Sequence, residues 1–215
     1  MAGRSSRAGY RLSLLCRNFA LFLLLAALTV CISGCKHLTP ADTTPLDGVG
    51  ISYDSIQQLK ALQITAPEVA QVVKARQAGF YDANCVEAVR AFHTRGQPFD
   101  AGDAIAGLVQ AGVAQDTILE LARMNQLGLG AGELQAMKLA GLSDSILLEV
   151  AQHRAETRPV LAGASLAALK NTGLRESTLL ELARHGVPDS EAGAILAFRR
   201  QGADDEQILR RFAGS

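Results

Sequence analysis

The chain has 215 residues, with 21 Lys+Arg against 21 Asp+Glu and no Trp. Arg4, Arg7, Arg11 and Arg17 lie within residues 1–34, which hold no acid, so the remainder is acidic by four charges. That balance argues against nucleic acid as a partner, and an Ala- and Leu-rich composition poor in β-branched runs predicts an all-α body.

In chain order, the first element is an address. Residues 19–32, "FALFLLLAALTVCI", form a fourteen-residue apolar run behind the arginines. At 1.5 Å per residue this is too short to span a bilayer comfortably, and it has the length of a signal-peptide core. The run ends in "ISGC", residues 32–35. An aliphatic residue, two small residues and a cysteine resemble the lipobox of bacterial lipoproteins. The resemblance implies that Ile32, Ser33 and Gly34 are read by the signal peptidase. It further implies cleavage before Cys35 and a diacylglycerol on the Cys35 thiol, with fatty acyl chains such as palmitate. An ordinary secretory signal containing cysteine, or an uncleaved anchor, is the alternative. Lys36 follows in place of the Asp that holds such proteins at the inner membrane, so the resemblance favours the outer membrane of a Gram-negative cell envelope.

Removal of residues 1–34 takes Cys16 and Cys31 with it, and acylation uses Cys35. Cys85 is then alone, which excludes an intramolecular disulfide. Residues 35–49, the acylated cysteine and "KHLTPADTTPLDGV", contain two prolines and three threonines without helical period, and are expected to be a flexible tether.

Residues 50–215 are periodic. "GVAQDTILELAR" at 112–123 returns as "GLRESTLLELAR" at 173–184. A glycine opens each unit: Gly50, Gly79, Gly112, Gly141, Gly173 and Gly202, at spacings of 29, 33, 29, 32 and 29. Six residues on stand Ile56, Cys85, Ile118, Leu147, Leu179 and Ile208. Nine on stand Leu59, Ala88, Leu121, Val150, Leu182 and the exception Arg211. These positions share one helical face. Four residues before the later glycines come Ala75, Leu108, Met137, Leu169 and Phe198, so a helix runs into each glycine. A left-handed glycine closes such a helix and brings Leu142 against Met137, and Leu174 against Leu169. Asp82, Asp116, Ser143/Asp144, Glu176 and Asp204 then start the next helix, with the dipole favouring the acids. The second helices are expected near 65–68, where "TAPE" resembles a capping box, and near 100–103, 130–133, 162–165 and 188–191.

Five pairs of short helices and a final helix near 204–213 fill the chain, and each pair needs its neighbours to bury its apolar stripe. The expected fold is an all-α array of helix pairs with a period of about 30 residues, either α-solenoid-like or a compact superhelix. The unit "AGLSDSILLEV" at 140–150 resembles the short "AGLSD-x-I" helical repeats of uncharacterised bacterial envelope proteins, a group with no activity to transfer.

Chemistry is sparse in this pattern. Glu87, Glu120, Glu149 and Glu181 recur eight residues past their glycines and would stack into an acidic row. Arg90, Arg123 and Arg184 sit three residues beyond three of them and would neutralise it. His93, His153 and His185 end first helices, where the dipole welcomes them, and their separation across units is too great for one metal ion. Cys85 fills a slot held elsewhere by Ile or Leu and reads as a buried apolar side chain. "GLGAG" at 128–132 lacks the preceding strand and the lysine of a phosphate loop. No motif arranges a nucleophile with a base. No cofactor, metal or catalytic residue is expected.

The least regular unit is the one opened by Gly79. Its segment 92–102, with Phe92, His93 and Phe99, is the candidate contact loop, with core packing as the plainer account. The expected function is therefore binding: a lipid-anchored scaffold or adaptor for an envelope protein partner, in its narrower form an assembly or pilot lipoprotein. An envelope enzyme acting on peptidoglycan or peptides, or a purely structural surface lipoprotein, is the alternative.

Overall fold

The computed structural model describes residues 41–128 and 130–214. Among these residues there are twelve α-helices and no strand. In chain order they are α1 (Thr44–Gly48), α2 (Tyr53–Ala61), α3 (Ala66–Gln77), α4 (Asp82–Thr94), α5 (Gly102–Gln110) and α6 (Gln115–Arg123). Then follow α7 (Ala131–Leu139), α8 (Asp144–Ala155), α9 (Gly163–Asn171), α10 (Glu176–Arg184), α11 (Ala192–Arg200) and α12 (Asp205–Phe212).

Each helix packs chiefly on the helix two places along: α1 on α3, α3 on α5, α5 on α7, and so to α11; α2 on α4, and so to α12. Odd helices form one layer and even helices the other. The fold is the expected all-α helical repeat array, solenoid-like in its stacking. Its apolar stripe lies between the layers. Ile56, Cys85, Ile118, Leu147, Leu179 and Ile208 are all buried, as are Ala75, Leu108, Met137 and Leu169 of the odd helices.

The unit boundaries follow from the glycines. All six repeat glycines have positive φ, from 75° at Gly50 to 97° at Gly79. Where α5 ends, Gly112 donates to the carbonyl of Val109 at 3.0 Å and Val113 to that of Leu108 at 3.0 Å, the pair of bonds that defines a Schellman turn. Every odd-to-even connection is four residues long: 49–52, 78–81, 111–114, 140–143, 172–175 and 201–204. The even helices close in the same way through positive-φ residues of a second set: Gln63, Gly96, Asn125, Thr157 and Gly186. Only two of these five are glycine, so that set is hard to see in the sequence.

A polar ladder runs along the starts of the even helices. The first residue of each even helix from α4 onward accepts the N–H of the residue that precedes the even helix before it. Asp82 accepts from Ser52 at 3.3 Å, Gln115 from Tyr81 at 2.8 Å, and Asp144 from Ala114 at 2.8 Å. Glu176 accepts from Ser143 at 2.6 Å and Asp205 from Arg175 at 3.0 Å. An N–H left orphaned by its own helix is thereby satisfied from the next unit. Side chains two residues into the helix add a second rung: Ser55 donates to Asp82 at 3.3 Å, Asn84 to Gln115 at 3.2 Å, and Thr178 to Asp205 at 2.7 Å. This explains why Ser55, Thr178 and Asp205 are buried.

These acids were expected to act on their own helices through the dipole; the structure adds that they join consecutive units. It also moves two assignments. Gln115, and not Asp116, makes the contact in the third unit, and Asp205, beside the cap Asp204, makes it in the last.

A second set of bonds crosses units at the glycines themselves. Arg76 donates to the carbonyl of Gly50 at 3.4 Å, Arg199 to that of Gly173 at 3.2 Å, and Lys170 to that of Gly141. Val109 cannot do this for Gly79, and there Gln115 supplies the donor at 2.9 Å. In the odd layer the approach is close: a methyl on Gly102, at the start of α5, would lie 2.1 Å from the backbone carbonyl oxygen of Gln71 in α3.

Both ends of the ladder are closed. At the start of α12 the N–H of Asp204 donates to its own Gln207 side chain at 2.9 Å, and the Asp204 carboxylate accepts the Gln207 N–H at 2.8 Å. At the other end, α1 covers α3 and buries Leu46 completely. This short helix falls inside the expected tether of 35–49. Thr43 and Leu46 are both buried here, Leu46 within the apolar core.

The irregular spacings have their cause in the helices. The segment after α4, 95–101, holds seven residues, as do 124–130, 156–162 and 185–191, and 62–65 holds four. The extra residues lengthen the helices, so that α4 has 13 residues and α8 has 12, against 9 in α6 and α10.

Candidate binding surface

Ile32, Ser33, Gly34 and Cys35 lie outside the described residues. The candidate contact segment is described in full. Phe92 and Phe99 point inward, 5% and 1% exposed, and meet edge to face with ring centres 5.4 Å apart. Phe92 sits near the end of α4, and Phe99, in the segment that follows, packs against it in the core. They are core residues of this unit and present no aromatic surface.

His93 is drawn to Glu68, a carboxylate only 3% exposed at the start of α3. The His93 Nε2–H donates to Glu68 Oε1 at 2.6 Å, and the backbone N–H of Phe99 donates to the same oxygen at 2.8 Å. The other carboxylate oxygen accepts the backbone N–H of Thr65 at 2.7 Å and its hydroxyl at 2.8 Å. Burial raises the Glu68 pKa, but the bonds from His93, Phe99 and Thr65 outweigh it and hold the carboxyl below its ordinary value. Glu68 thus fastens the 95–101 segment to the preceding unit. The sequence signal was the "TAPE" capping box, which accounts for Thr65 but not for the partners 25 and 31 residues away.

What this segment does present is polar. Thr94 and Arg95, with Glu87, Arg90 and Ala91 of α4 and Arg123 of α6, line an open groove of about 310 Å³. Arg95 donates to the carbonyls of Ala122 at 3.0 Å and Arg123 at 3.2 Å, closing the end of α6, and its guanidinium lies 4.9 Å above the Phe92 ring. Arg90 pairs with Glu87 at 2.5 Å and Arg123 with Glu120 at 3.2 Å. The groove carries more positive than negative charge, and its cations are already engaged.

The expected acidic row exists as a neutralised one. Glu181 pairs with Arg184 at 2.8 Å, and Glu149 lies 3.7 Å from Arg184 and 3.6 Å from His153. The histidines serve separate local purposes. His153 is buried and its Nδ1–H donates to the Pro159 carbonyl at 2.9 Å, holding the 156–162 segment, while His185 lies exposed near Glu181. Among the described residues no three His, Cys, Asp or Glu side chains gather as a metal site. Cys85 is fully buried, and that burial pushes its thiol up to about 12, against a lowering by Arg76. A thiol in that state is protonated and inert. Of the "GLGAG" stretch, Gly128 and Gly130 lie in the connection ahead of α7, and Ala131 and Gly132 open that helix. No described helix is long and apolar enough to cross a membrane.

Comparison with known proteins returned no match of this chain to a family model, to a curated protein or to a solved structure.

Proposed function

We propose that this protein is a lipid-anchored cell-envelope scaffold or adaptor, its repeat array offered to an envelope protein partner from an anchor at Cys35. In the narrower form it escorts the assembly of a membrane complex. The observation that carries this is how the recurring polar positions are used. Asp82, Gln115, Asp144, Glu176 and Asp205 join unit to unit. The repeat is thus a device for building an extended surface, and extended repeat surfaces bind other macromolecules. The groove between α4 and α6 is the recessed part of that surface to examine first.

Two measurements test this. Replacing Cys35 with Ser should abolish incorporation of labelled fatty acid and leave an unprocessed precursor; unchanged acylation would overturn the anchor. A photo-crosslinking amino acid at position 90 or 123 should capture a discrete envelope protein in cells, identified by mass spectrometry. Crosslinking no more specific than that of a residue elsewhere on the array would overturn the adaptor role.

A further inference from the structure

Two aromatic side chains stand apart from the repeat. Tyr53 occupies the ladder position of the first unit, where later units place Asp82, Gln115, Asp144, Glu176 and Asp205. Tyr81 occupies the position before an even helix, held elsewhere by Ser52, Ala114, Ser143, Arg175 and Asp204. The fold uses neither ring: Tyr53 is 73% exposed and Tyr81 63%. They belong to one edge of the array. Ser52, next to Tyr53, donates its N–H to Asp82, next to Tyr81, at 3.3 Å. Adjacent packed helices lie about 10 Å apart, so the two rings rise from neighbouring helix starts.

Chain length places this edge near lipid. Residues 36–42 are all that separate the buried Thr43 from Cys35. Those eight Cα steps reach at most about 29 Å when fully extended. Each further unit adds roughly 10 Å along the stack. The first two units are therefore the ones held beside the anchor, and they are the units that carry the exposed tyrosines. Leu139, the other large apolar side chain left exposed among the described residues, lies in α7, farther along.

We infer that the Tyr53–Tyr81 edge is a membrane-facing surface, its two rings entering the headgroup layer of the bilayer that holds the acyl chains. This rests on the lipid anchor proposed at Cys35. A phenol has an apolar body and a polar tip, which suits the headgroup level of a bilayer. The contact gives the anchored array an orientation, with its first units against the lipid and its later units extending toward a partner.

The chain provides its own probe. Its tyrosines are Tyr10, Tyr53 and Tyr81, and it has no Trp, so loss of residues 1–34 leaves Tyr53 and Tyr81 as the sole source of tyrosine emission. The mature acylated protein would be reconstituted into phosphatidylethanolamine–phosphatidylglycerol vesicles, with or without bromine on the acyl carbons nearest the headgroup. Bromination should lower the emission at least twofold. Tyr53→Ser and Tyr81→Ser should each halve the starting emission and leave the remainder quenchable. Equal emission in both vesicles, with acylation of Cys35 verified by mass, would overturn the inference. Shielding from aqueous acrylamide without bromine quenching would overturn it too, and would assign the edge to a second copy of this chain. An unacylated Cys35 would overturn the anchor and this inference with it.

Discussion

The carboxylate of Asp205 accepts the backbone N–H of Arg175, thirty residues earlier, at 3.0 Å. It also takes the Thr178 hydroxyl at 2.7 Å while only 6% exposed. This bond satisfies a donor that α10 cannot satisfy for itself, and its counterpart recurs at every even-to-even contact. Removing the Asp205 acceptor strands the buried Thr178 hydroxyl. Asp205→Ala should destabilise the domain by about 1–3 kcal/mol in urea titrations, and Asp144→Ala, which loses the bond from the exposed Ala114 N–H, by about 0.5–1.5 kcal/mol. Asp→Asn, which keeps one carbonyl acceptor, should lose less. Asp116→Ala, on an exposed residue outside the ladder, should stay within about 0.5 kcal/mol of the parent.

Acid should loosen the array. Hydrogen bonds from Ser52 lower the Asp82 carboxyl, and those from Ser143 lower that of Glu176. In Asp144 and Asp205 burial works in the opposite direction, but bonds from Lys138 and Ala114, and from Thr178 and Arg175, prevail. A carboxyl held below its ordinary value stabilises the fold fully above that value, 3.8 for Asp and 4.5 for Glu. That stabilisation disappears as pH falls through the lower folded value. Unfolding free energy measured from pH 7 to pH 2 should be flat to about pH 5 and then fall. Asp205→Asn should show a shallower acid limb than the parent.

Backbone handedness gives opposite predictions at two sites. Gly141 and Gly173 hold φ of 81° and 83°, and Gly→Val at either should cost about 1 kcal/mol or more in thermal melts. Thr157 is a β-branched residue at φ 56°, so Thr157→Gly should stabilise by roughly 0.5–1 kcal/mol. Unchanged melting in all three variants would contradict the turn assignment.

Cys85 should not react. It is fully buried and its thiol is pushed up to about 12, so a thiol reagent at pH 8 should label the folded mature protein only at its rate of opening. Denaturant should expose the thiol and restore ordinary reactivity.

How much of this was legible in the sequence differs from residue to residue. Gly112 and Leu108 stand four apart, and one turn of chain geometry dictates how they close, so the helix ends could be read directly. The burial of Ile118, Leu147 and Leu179 follows in the same way from period alone. Phe92 and Phe99 could not be placed from the sequence, because their contact in the core depends on how the end of α4 and the segment that follows pack together. Leu46 likewise had no period to show that it covers the first unit.

By itself the sequence determined the repeat, its helix pairs and the glycine turns, because each depends on neighbours a few residues apart. Only the tertiary structure decided what the acids at the helix starts do. One acid beside one helix start is fully accounted for by a dipole, and nothing local reveals a second partner. Stacking brings the orphaned N–H of one unit to the side-chain oxygen of the next, 30 to 34 residues on, and that distance in sequence is bridged only when the units pack.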